Sequence, residues 1–105
     1  MTDKTKTDHY SISVTGRHVQ VTDAMKQYAI EKVSKIERFS DRIIDVQVTM
    51  DIQKLDHIVD IVVKVNHTLI KSHATTTDMY ASINTAVQKL ERQVRRYKKR
   101  LQELI

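Results

Sequence analysis

Residues 78–104 read DMYASINTAVQKLERQVRRYKKRLQEL and contain two stripes of opposite chemistry. One stripe is apolar, with members at alternating steps of four and three: Ile83, Val87, Leu90, Val94, Tyr97, Leu101 and Leu104. That spacing keeps the side chains on one face of an α-helix, which has about 3.6 residues per turn. The pattern therefore predicts one long closing helix whose apolar face packs on the protein.

The opposite face of this predicted helix is basic. At about 100° per residue, the residues that fall away from the apolar stripe are Lys89, Arg92, Arg96, Lys99 and Arg100. Between positions 89 and 100, seven of twelve residues are basic and only Glu91 is acidic. The 11 basic and 11 acidic residues before position 89 cancel, so the whole net charge of +5 falls after it. Such asymmetry indicates a polyanionic partner, either nucleic acid or an anionic membrane surface.

The composition predicts one globular domain. A chain of 105 residues with 40% hydrophobic and 30% charged residues is typical of one modest core. Cysteine is absent, which excludes disulfides, thiol chemistry and cysteine-based zinc sites. No apolar run approaches the roughly 20 residues of a membrane span. Residues 1–8 are polar and lack the apolar segment of a signal peptide, so we expect a disordered tail before a domain over residues 9–105.

Alternation of apolar and polar residues predicts four β-strands. They lie at about residues 10–15, 44–53, 59–65 and 70–74. Each strand has one apolar face, and Ile44 is expected to begin that face in the second strand. Gly16 is the only glycine, and we expect it to end the first strand in a backbone conformation that other residues disfavour. A hairpin is expected at Asn66, because asparagine tolerates positive φ.

An apolar stripe of helical spacing predicts a first helix at about residues 22–39, with Thr22 as its N-cap. The element order is then β-α-β-β-β-α, an α+β fold. The strand–helix–strand crossover makes the first two strands parallel, and hairpins make the rest antiparallel. The economical packing is a four-stranded mixed sheet with both helices on one face. The other face is left in water, carrying Asp45, Asp51 and Asp60.

The sequence contains no convincing catalytic or metal-binding constellation. Its five histidines are scattered, with no HxH or HxxxH pair. Asp45 and Asp51 share a strand face but lie about 20 Å apart at the rise of a strand, too far for a working carboxylate pair. Phosphate loops, nucleophile elbows and HExxH motifs do not occur. We therefore expect a binding protein and not an enzyme, without a cofactor, a metal or a small-molecule substrate.

The basic helix face is the candidate binding surface. A sheet that reads RNA needs exposed aromatic residues, whereas four of the five aromatic residues here fall in helical segments. Basic side chains one turn apart suit backbone phosphates of structured RNA. The alternatives are a merely solubilising face, a coiled-coil seam for a second chain, and a membrane surface. A solubilising face usually mixes basic and acidic residues, and this face does not. A coiled-coil seam or a membrane surface would need the apolar stripe, which the predicted strands already need as cover.

Six segments of the chain carry a family resemblance. They are VTGRHVQVTDAM at 14–25, KIE at 35–37, DRI at 41–43, KVN at 64–66, DMYASI at 78–83 and KLERQ at 89–93. In order and spacing they resemble the bacterial ribosome hibernation promoting factor and protein Y family, also called the sigma-54 modulation proteins. The resemblance spans about residues 10–101. The family fold is β-α-β-β-β-α, the order that periodicity predicts independently.

The resemblance implies a specific mode of action. Such proteins bind the small ribosomal subunit in the channel where mRNA and tRNA meet, contact ribosomal RNA through both helices, and silence ribosomes in stationary phase or stress. Carried over by position, the implied rRNA-binding residues are Lys26, Lys32, Lys35, Lys89, Arg92, Arg96 and Arg100. Arg95, Lys98 and Lys99 lie beyond the family's regular basic positions.

The chain looks like a short member of that family, because it ends at Ile105, just after the predicted helix. The resemblance to the short form implies a cytoplasmic, ribosome-associated protein that acts with a separate small ribosome modulation factor to pair ribosomes into inactive dimers. No membrane partner is expected. Two alternatives stay open at this point: a protein Y-like inhibitor of single ribosomes, and a dimerising protein that uses the apolar stripe to bind a partner helix.

Overall fold

The computed structural model describes residues 2–6, 10–39 and 42–103. In chain order the elements are β1 (Thr2–Lys6), β2 (Ser11–Arg17), α1 (Asp23–Val33), a 3₁₀ turn (Ser34–Phe39), β3 (Ile43–Gln53), β4 (Asp56–Val65), β5 (Thr68–Thr76) and α2 (Met79–Glu103). The sheet order is β1-β2-β3-β4-β5; β2 and β3 are parallel and the other neighbours are antiparallel. The predicted β-α-β-β-β-α order, with its four-stranded mixed sheet, is confirmed from β2 onward.

An additional edge strand, β1, precedes the predicted fold. It pairs antiparallel with β2, and its Thr2 lies opposite Thr15 while Lys6 lies opposite Ser11. The expectation of a disordered tail over residues 1–8 is therefore corrected for residues 2–6; positions 1, 7 and 8 lie outside the described residues. The segment has no apolar residue, so hydrophobic periodicity gives no strand signal there. Its pairing with β2 supplies the order instead.

The core lies between the sheet and the two helices. Alternate residues of β3 and β4 are almost fully buried on one face of the sheet: Val46, Val48, Met50, Val59, Ile61 and Val63. Both helices cover this face, α1 beside β2 and α2 across β4 and β5, and the helices also contact each other. Each fully buried aliphatic side chain of this kind contributes roughly 1.5–3 kcal/mol to stability. The predicted packing, with both helices on one face, is confirmed.

A β-bulge at the start of β3 changes which isoleucine enters the core. Ile43 lies opposite Val65 and Asp45 lies opposite Lys64, so one extra residue, Ile44, stands between the two pairs. Ile43 is 4% exposed and Ile44 is 50% exposed. The expectation that Ile44 begins the apolar face is therefore wrong, because a bulge shifts the alternation by one residue.

The first helix begins as predicted but ends earlier. The Thr22 hydroxyl accepts a hydrogen bond from the Met25 backbone N–H at 3.1 Å, which confirms the N-cap. The α-helix stops at Val33, and the rest of the predicted span is the 3₁₀ turn. At the junction the Ser34 hydroxyl donates to the Ile30 carbonyl at 2.6 Å, a side-chain bond to the backbone of the kind that bends helices.

The 3₁₀ turn is tied back to the sheet by a buried tyrosine. The Tyr10 hydroxyl donates to Glu37 at 2.5 Å, across 27 residues of sequence. Burial and the neighbouring Glu37 carboxylate both raise the pKa of Tyr10 well above its ordinary value, burial having the larger effect. The phenol therefore stays protonated and remains a donor, which fixes the start of β2 against the turn that carries Phe39.

Gly16 has a steric role and not the conformational one that the sequence suggests. It stays within β2, opposite Met50, and no glycine in the described residues has positive φ. A Cβ at this position would lie 2.5 Å from the Val19 carbonyl oxygen, so the chain that folds back over β2 leaves no room for one. Positive φ occurs instead at His18, and also at Lys54 and Asn66 in the two hairpin turns, as Asn66 was expected to show.

His18, whose backbone has positive φ, places its ring beside Asp51. The ring Nδ1 lies 2.9 Å from the Asp51 carboxylate, which is only 4% exposed and also accepts a hydrogen bond from the Gln53 side chain at 3.0 Å. These bonds, foremost that of His18, hold the pKa of Asp51 below its ordinary value. The expectation that Asp51 lies in water is wrong, because the loop after β2 covers it.

Candidate nucleic-acid interface

α2 separates apolar from cationic residues as its sequence predicts. The side chains that face the sheet are buried: Ile83, Ala86, Val87, Leu90 and Val94. Arg92, Arg96, Lys99 and Arg100 are exposed. From position 89 to position 100 the helix rises by about 17 Å. Because the apolar face is buried, the opposite face of α2 is an extended cationic surface. We call this surface the α2 basic face and define it as Lys89, Arg92, Arg96 and Arg100.

Lys89 lies at one flank of the α2 basic face, next to the edge of the sheet. Its ammonium group donates to the backbone carbonyl of His73 in β5 at 2.9 Å. One turn further on, the Gln93 side chain donates to the carbonyl of Lys71 at 2.7 Å. Arg96 lies seven residues after Lys89, so it points to nearly the same side of the helix. The predicted α2 residues thus share one continuous surface, which runs from the side of the helix opposite the sheet to the flank beside β5.

The three lysines predicted on the first helix do not share one surface. The Lys32 ammonium lies 5.4 Å from the centroid of the Tyr28 ring, and that ring packs edge to face on Tyr80 of α2 at 5.1 Å. Lys32 therefore faces the groove between the helices. Lys35 is exposed in the 3₁₀ turn, which packs against α2. Lys26 is two residues before Tyr28 and so lies about 200° around the helix, on the flank away from α2.

Two arginines outside the predicted set lie where the 3₁₀ turn meets α2. The Arg38 guanidinium carbon is 4.8 Å from the centroid of the Phe39 ring, and that of Arg95 is 5.4 Å away. Arg95 belongs to the basic run of α2 but lies off its regular positions, and Arg38 belongs to a helix segment of mixed charge. Only the packing of the turn on α2 brings them together, so sequence spacing carries no signal for this pair.

The open face of the sheet has a different electrostatic character. Asp60 pairs with the His73 ring at 2.7 Å, and Asp45 accepts hydrogen bonds from Ser11 and Gln47 at 2.9 and 3.3 Å. Lys64 and Lys71 stand on the same face. Opposite charges alternate there, whereas they are segregated on α2. The helical side of the molecule is therefore the more cationic of the two sides.

No preformed metal site or membrane span is present in the part of the chain that the structure describes. Among residues 2–6, 10–39 and 42–103, no three histidine, aspartate or glutamate side chains come together as a metal site would require. No described helix is both long and apolar enough to cross a membrane.

Comparison with known proteins gives one consistent set of matches. The family described as Sigma 54 modulation protein / S30EA ribosomal protein matches residues 12–102. The ribosome hibernation promoting factor of Pseudomonas putida is 33% identical over 94 residues, which cover 90% of this chain and 92% of that protein. That of Salmonella typhimurium is 35% identical over 92 residues, covering 88% and 97%. A ribosomal subunit interface protein from Coxiella burnetii has the same fold, with a TM-score of 0.80 and 31% identity over 86% of this chain and 98% of its own.

Proposed function

This chain belongs to the Sigma 54 modulation protein / S30EA ribosomal protein family, and we propose that it is a ribosome-associated inhibitor of translation that promotes ribosome hibernation. The family identified from sequence motifs is thereby confirmed. The relatives named as hibernation promoting factors match nearly the full length of this chain, and the Coxiella burnetii structure is described as a ribosomal subunit interface protein. These names support a role at the ribosome.

The proposed site of action is the mRNA and tRNA channel of the small subunit, where the protein contacts ribosomal RNA. The observation that carries this proposal is the α2 basic face, an exposed row of cations on the side of the helix opposite an apolar stripe that is buried from Ile83 to Val94. Ribosomal RNA offers a dense array of phosphates, and binding releases their counterions. Occupancy of the channel excludes mRNA and tRNA without any bond being made or broken, so the proposed activity requires no catalytic group, metal or cofactor.

The residues proposed to contact ribosomal RNA are Lys26, Lys32, Lys35, Lys89, Arg92, Arg96 and Arg100. Their positions differ. The α2 basic face, Lys32 and Lys35 lie on or beside the groove between the two helices, whereas Lys26 lies on the flank of α1 away from α2. Contacts to phosphate position a protein on RNA without reading bases. We therefore expect the affinity for ribosomal RNA to depend strongly on the charges of these residues and on salt concentration.

The dimerising alternative is disfavoured by burial. A seam for a partner helix must be accessible, yet Ile83, Leu90 and Val94 are fully buried against the protein's own sheet. Tyr97 is half-buried and packs at the edge of the same core. The apolar stripe from Ile83 to Val94 is therefore used within the chain, which favours the basic surface as the candidate for a partner.

Sedimentation of ribosomes through sucrose gradients tests the proposal. The protein should co-migrate with small subunits at low salt, and log affinity should fall linearly with log salt concentration, because each phosphate contact contributes about 0.7–0.9 to the slope. A protein that stays at the top of the gradient in low salt would contradict the proposal. The control is bovine serum albumin labelled in the same way, which should not co-migrate.

The same gradients separate two modes of inhibition. In the mode we propose, the chain acts together with a separate small modulation factor and shifts ribosomes into a dimer peak. In the protein Y-like mode, the protein co-migrates with single ribosomes and no dimer peak appears even when the modulation factor is added. Both modes place the protein in the cytoplasm, where ribosomes are found.

A further inference from the structure

The aromatic ring of Phe39 contacts guanidinium groups from two different elements. Arg38 adjoins it in the 3₁₀ turn, and Arg95 reaches it from α2, with guanidinium carbons 4.8 and 5.4 Å from the ring centroid. Phe39 is half-buried and packs against the core, so the ring is held in place by its own contacts. We call the set Arg38, Phe39 and Arg95 the Phe39 cluster.

The two arginines keep donors available for a ligand. Among residues 2–6, 10–39 and 42–103, Arg38 forms an ion pair with Glu91 of α2, with Nη2 and Oε2 3.9 Å apart. The Arg38 side chain is 64% exposed, and Arg95 is also exposed. A guanidinium group has five N–H donors, so one contact at the outer limit of an ion pair leaves most of them free to bind an anion.

We propose that Arg38 and Arg95 together hold one phosphate group of the bound RNA backbone, with Phe39 as the platform that positions both. This inference rests on the proposed function and names a contact beyond the residues implied by the family. The planar fork of a guanidinium group matches a phosphate with two parallel hydrogen bonds, which lysine cannot form. Contact with the ring restricts both side chains before binding, so less conformational entropy is lost when the phosphate arrives.

The position of the cluster extends the interface across the groove between the helices. Arg95 lies on the flank of α2 that faces the 3₁₀ turn, whereas Lys89 lies on the opposite flank, beside β5. An RNA strand that follows the α2 basic face therefore meets the Phe39 cluster on the side of α1. The cluster also differs from Lys32 on Tyr28, where a single ammonium group supplies charge but no planar fork.

The test replaces arginine by lysine, which keeps the charge and removes the fork. We would measure binding of the full chain to purified small ribosomal subunits for Arg38→Lys, Arg95→Lys and the double variant, with Arg17→Lys as the control. Arg17 is an exposed arginine at the end of β2 and belongs to no proposed contact. The double variant should bind about tenfold more weakly, the order expected when charged hydrogen bonds are lost. Its salt slope should be unchanged, because the net charge is the same.

A second variant, Phe39→Leu, removes the platform and leaves both charges in place. It should also weaken binding several-fold, and its thermal unfolding is measured in parallel so that a loss of fold is recognised. The arginine variants alter no buried side chain, so they keep the test valid if Phe39→Leu unfolds. If the wild-type protein binds small subunits and the double arginine variant binds them equally tightly, the proposed role of the Phe39 cluster is wrong but the proposed function stands. Failure of the wild-type protein to bind small subunits would overturn the proposed function and the cluster with it.

Discussion

The two helices lie side by side on one face of the sheet, but they present their charges in opposite ways. α1 and its 3₁₀ turn mix signs: Glu31 and Glu37 stand among the lysines, and Lys26 and Lys32 lie on different flanks. α2 keeps its cations together, with Glu91 as the single acid between positions 89 and 100. The two helices therefore differ in where their charges lie relative to the buried stripe, and not only in how many charges they carry.

The helices differ equally in how they are held. α2 runs for 25 residues across β4 and β5, whereas α1 has 11 residues before the backbone changes to a 3₁₀ turn. A long helix with a continuous apolar stripe is fixed along most of its length, so its outer face is a rigid template. We therefore expect α2 to dominate both stability and binding, and four experiments test that expectation.

Truncation of a buried side chain in each helix should give the largest difference. Leu90→Ala in α2 should lower the free energy of unfolding by about 2–5 kcal/mol, because it removes fully buried methyl groups and leaves a cavity. Val33→Ala in α1 removes only two methyl groups and should cost about 1.5 kcal/mol. Urea unfolding followed by circular dichroism measures both. Equal losses would mean that α2 is not the dominant element.

Charge reversal on the α2 basic face should strongly weaken binding and spare the fold. Arg92→Glu with Arg96→Glu should weaken ribosome binding by about 100-fold, because two phosphate contacts become repulsive. Both side chains are exposed, so the melting temperature should move by only a few degrees. Binding is measured by co-sedimentation with small subunits.

The matched control for that variant is Lys64→Glu with Lys71→Glu. It makes the same change in net charge on the open face of the sheet, where both lysines are exposed. Binding should fall only by the general effect of net charge. A control that loses as much as the α2 variant would show that the location of the cations is unimportant.

Charge reversal on the first helix should have a smaller effect. Lys32→Glu with Lys35→Glu should weaken binding by about tenfold, since these residues lie on the groove side of the interface but amid acidic neighbours. Lys26→Glu should cost less again, because Lys26 faces away from α2. The same co-sedimentation assay ranks the three positions. A Lys26 effect equal to that of the pair would move the interface to the far flank of α1.

The smallest effect concerns a polar group beneath α2. The Ser72 hydroxyl of β5 is buried on the helix-covered face and has no hydrogen-bond partner in the described structure. Ser72→Ala should therefore leave stability unchanged or raise it by up to about 1 kcal/mol, because an unsatisfied buried group is removed. Thermal unfolding gives the answer. A clear loss of stability would show that the hydroxyl is satisfied, for example by an ordered water.

Sequence periodicity was sufficient for the elements whose burial alternates regularly. It predicted α2 and the core faces of β3 and β4. The structure shows the N-cap of α2, where the Asp78 carboxylate accepts a hydrogen bond from the Ala81 N–H at 3.1 Å. It failed where a local backbone feature overrides the period. The bulge at Ile44 exchanges two isoleucines, and the Ser34 bond to the Ile30 carbonyl marks the end of α1.

Features that depend on tertiary contacts gave no sequence signal. β1 has no apolar residue, so its strand depends on pairing with β2. Asp51 looks like a surface acid until the loop carrying His18 closes over it. The Phe39 cluster joins residues 38 and 95, which only folding brings together. The α2 basic face was predictable because it lies within one helix, whereas the groove side of the interface combines two.

The bonds from Lys89 and Gln93 to carbonyl groups of β5 have a consequence for the behaviour of the protein in solution. β5 is an edge strand of the sheet, and an exposed edge is a template on which another chain can add a strand and aggregate. The two side chains occupy the carbonyls of His73 and Lys71, so they obstruct such growth. If Lys89 turns away toward a phosphate group, the His73 carbonyl is released, and Gln93 still occupies the Lys71 carbonyl.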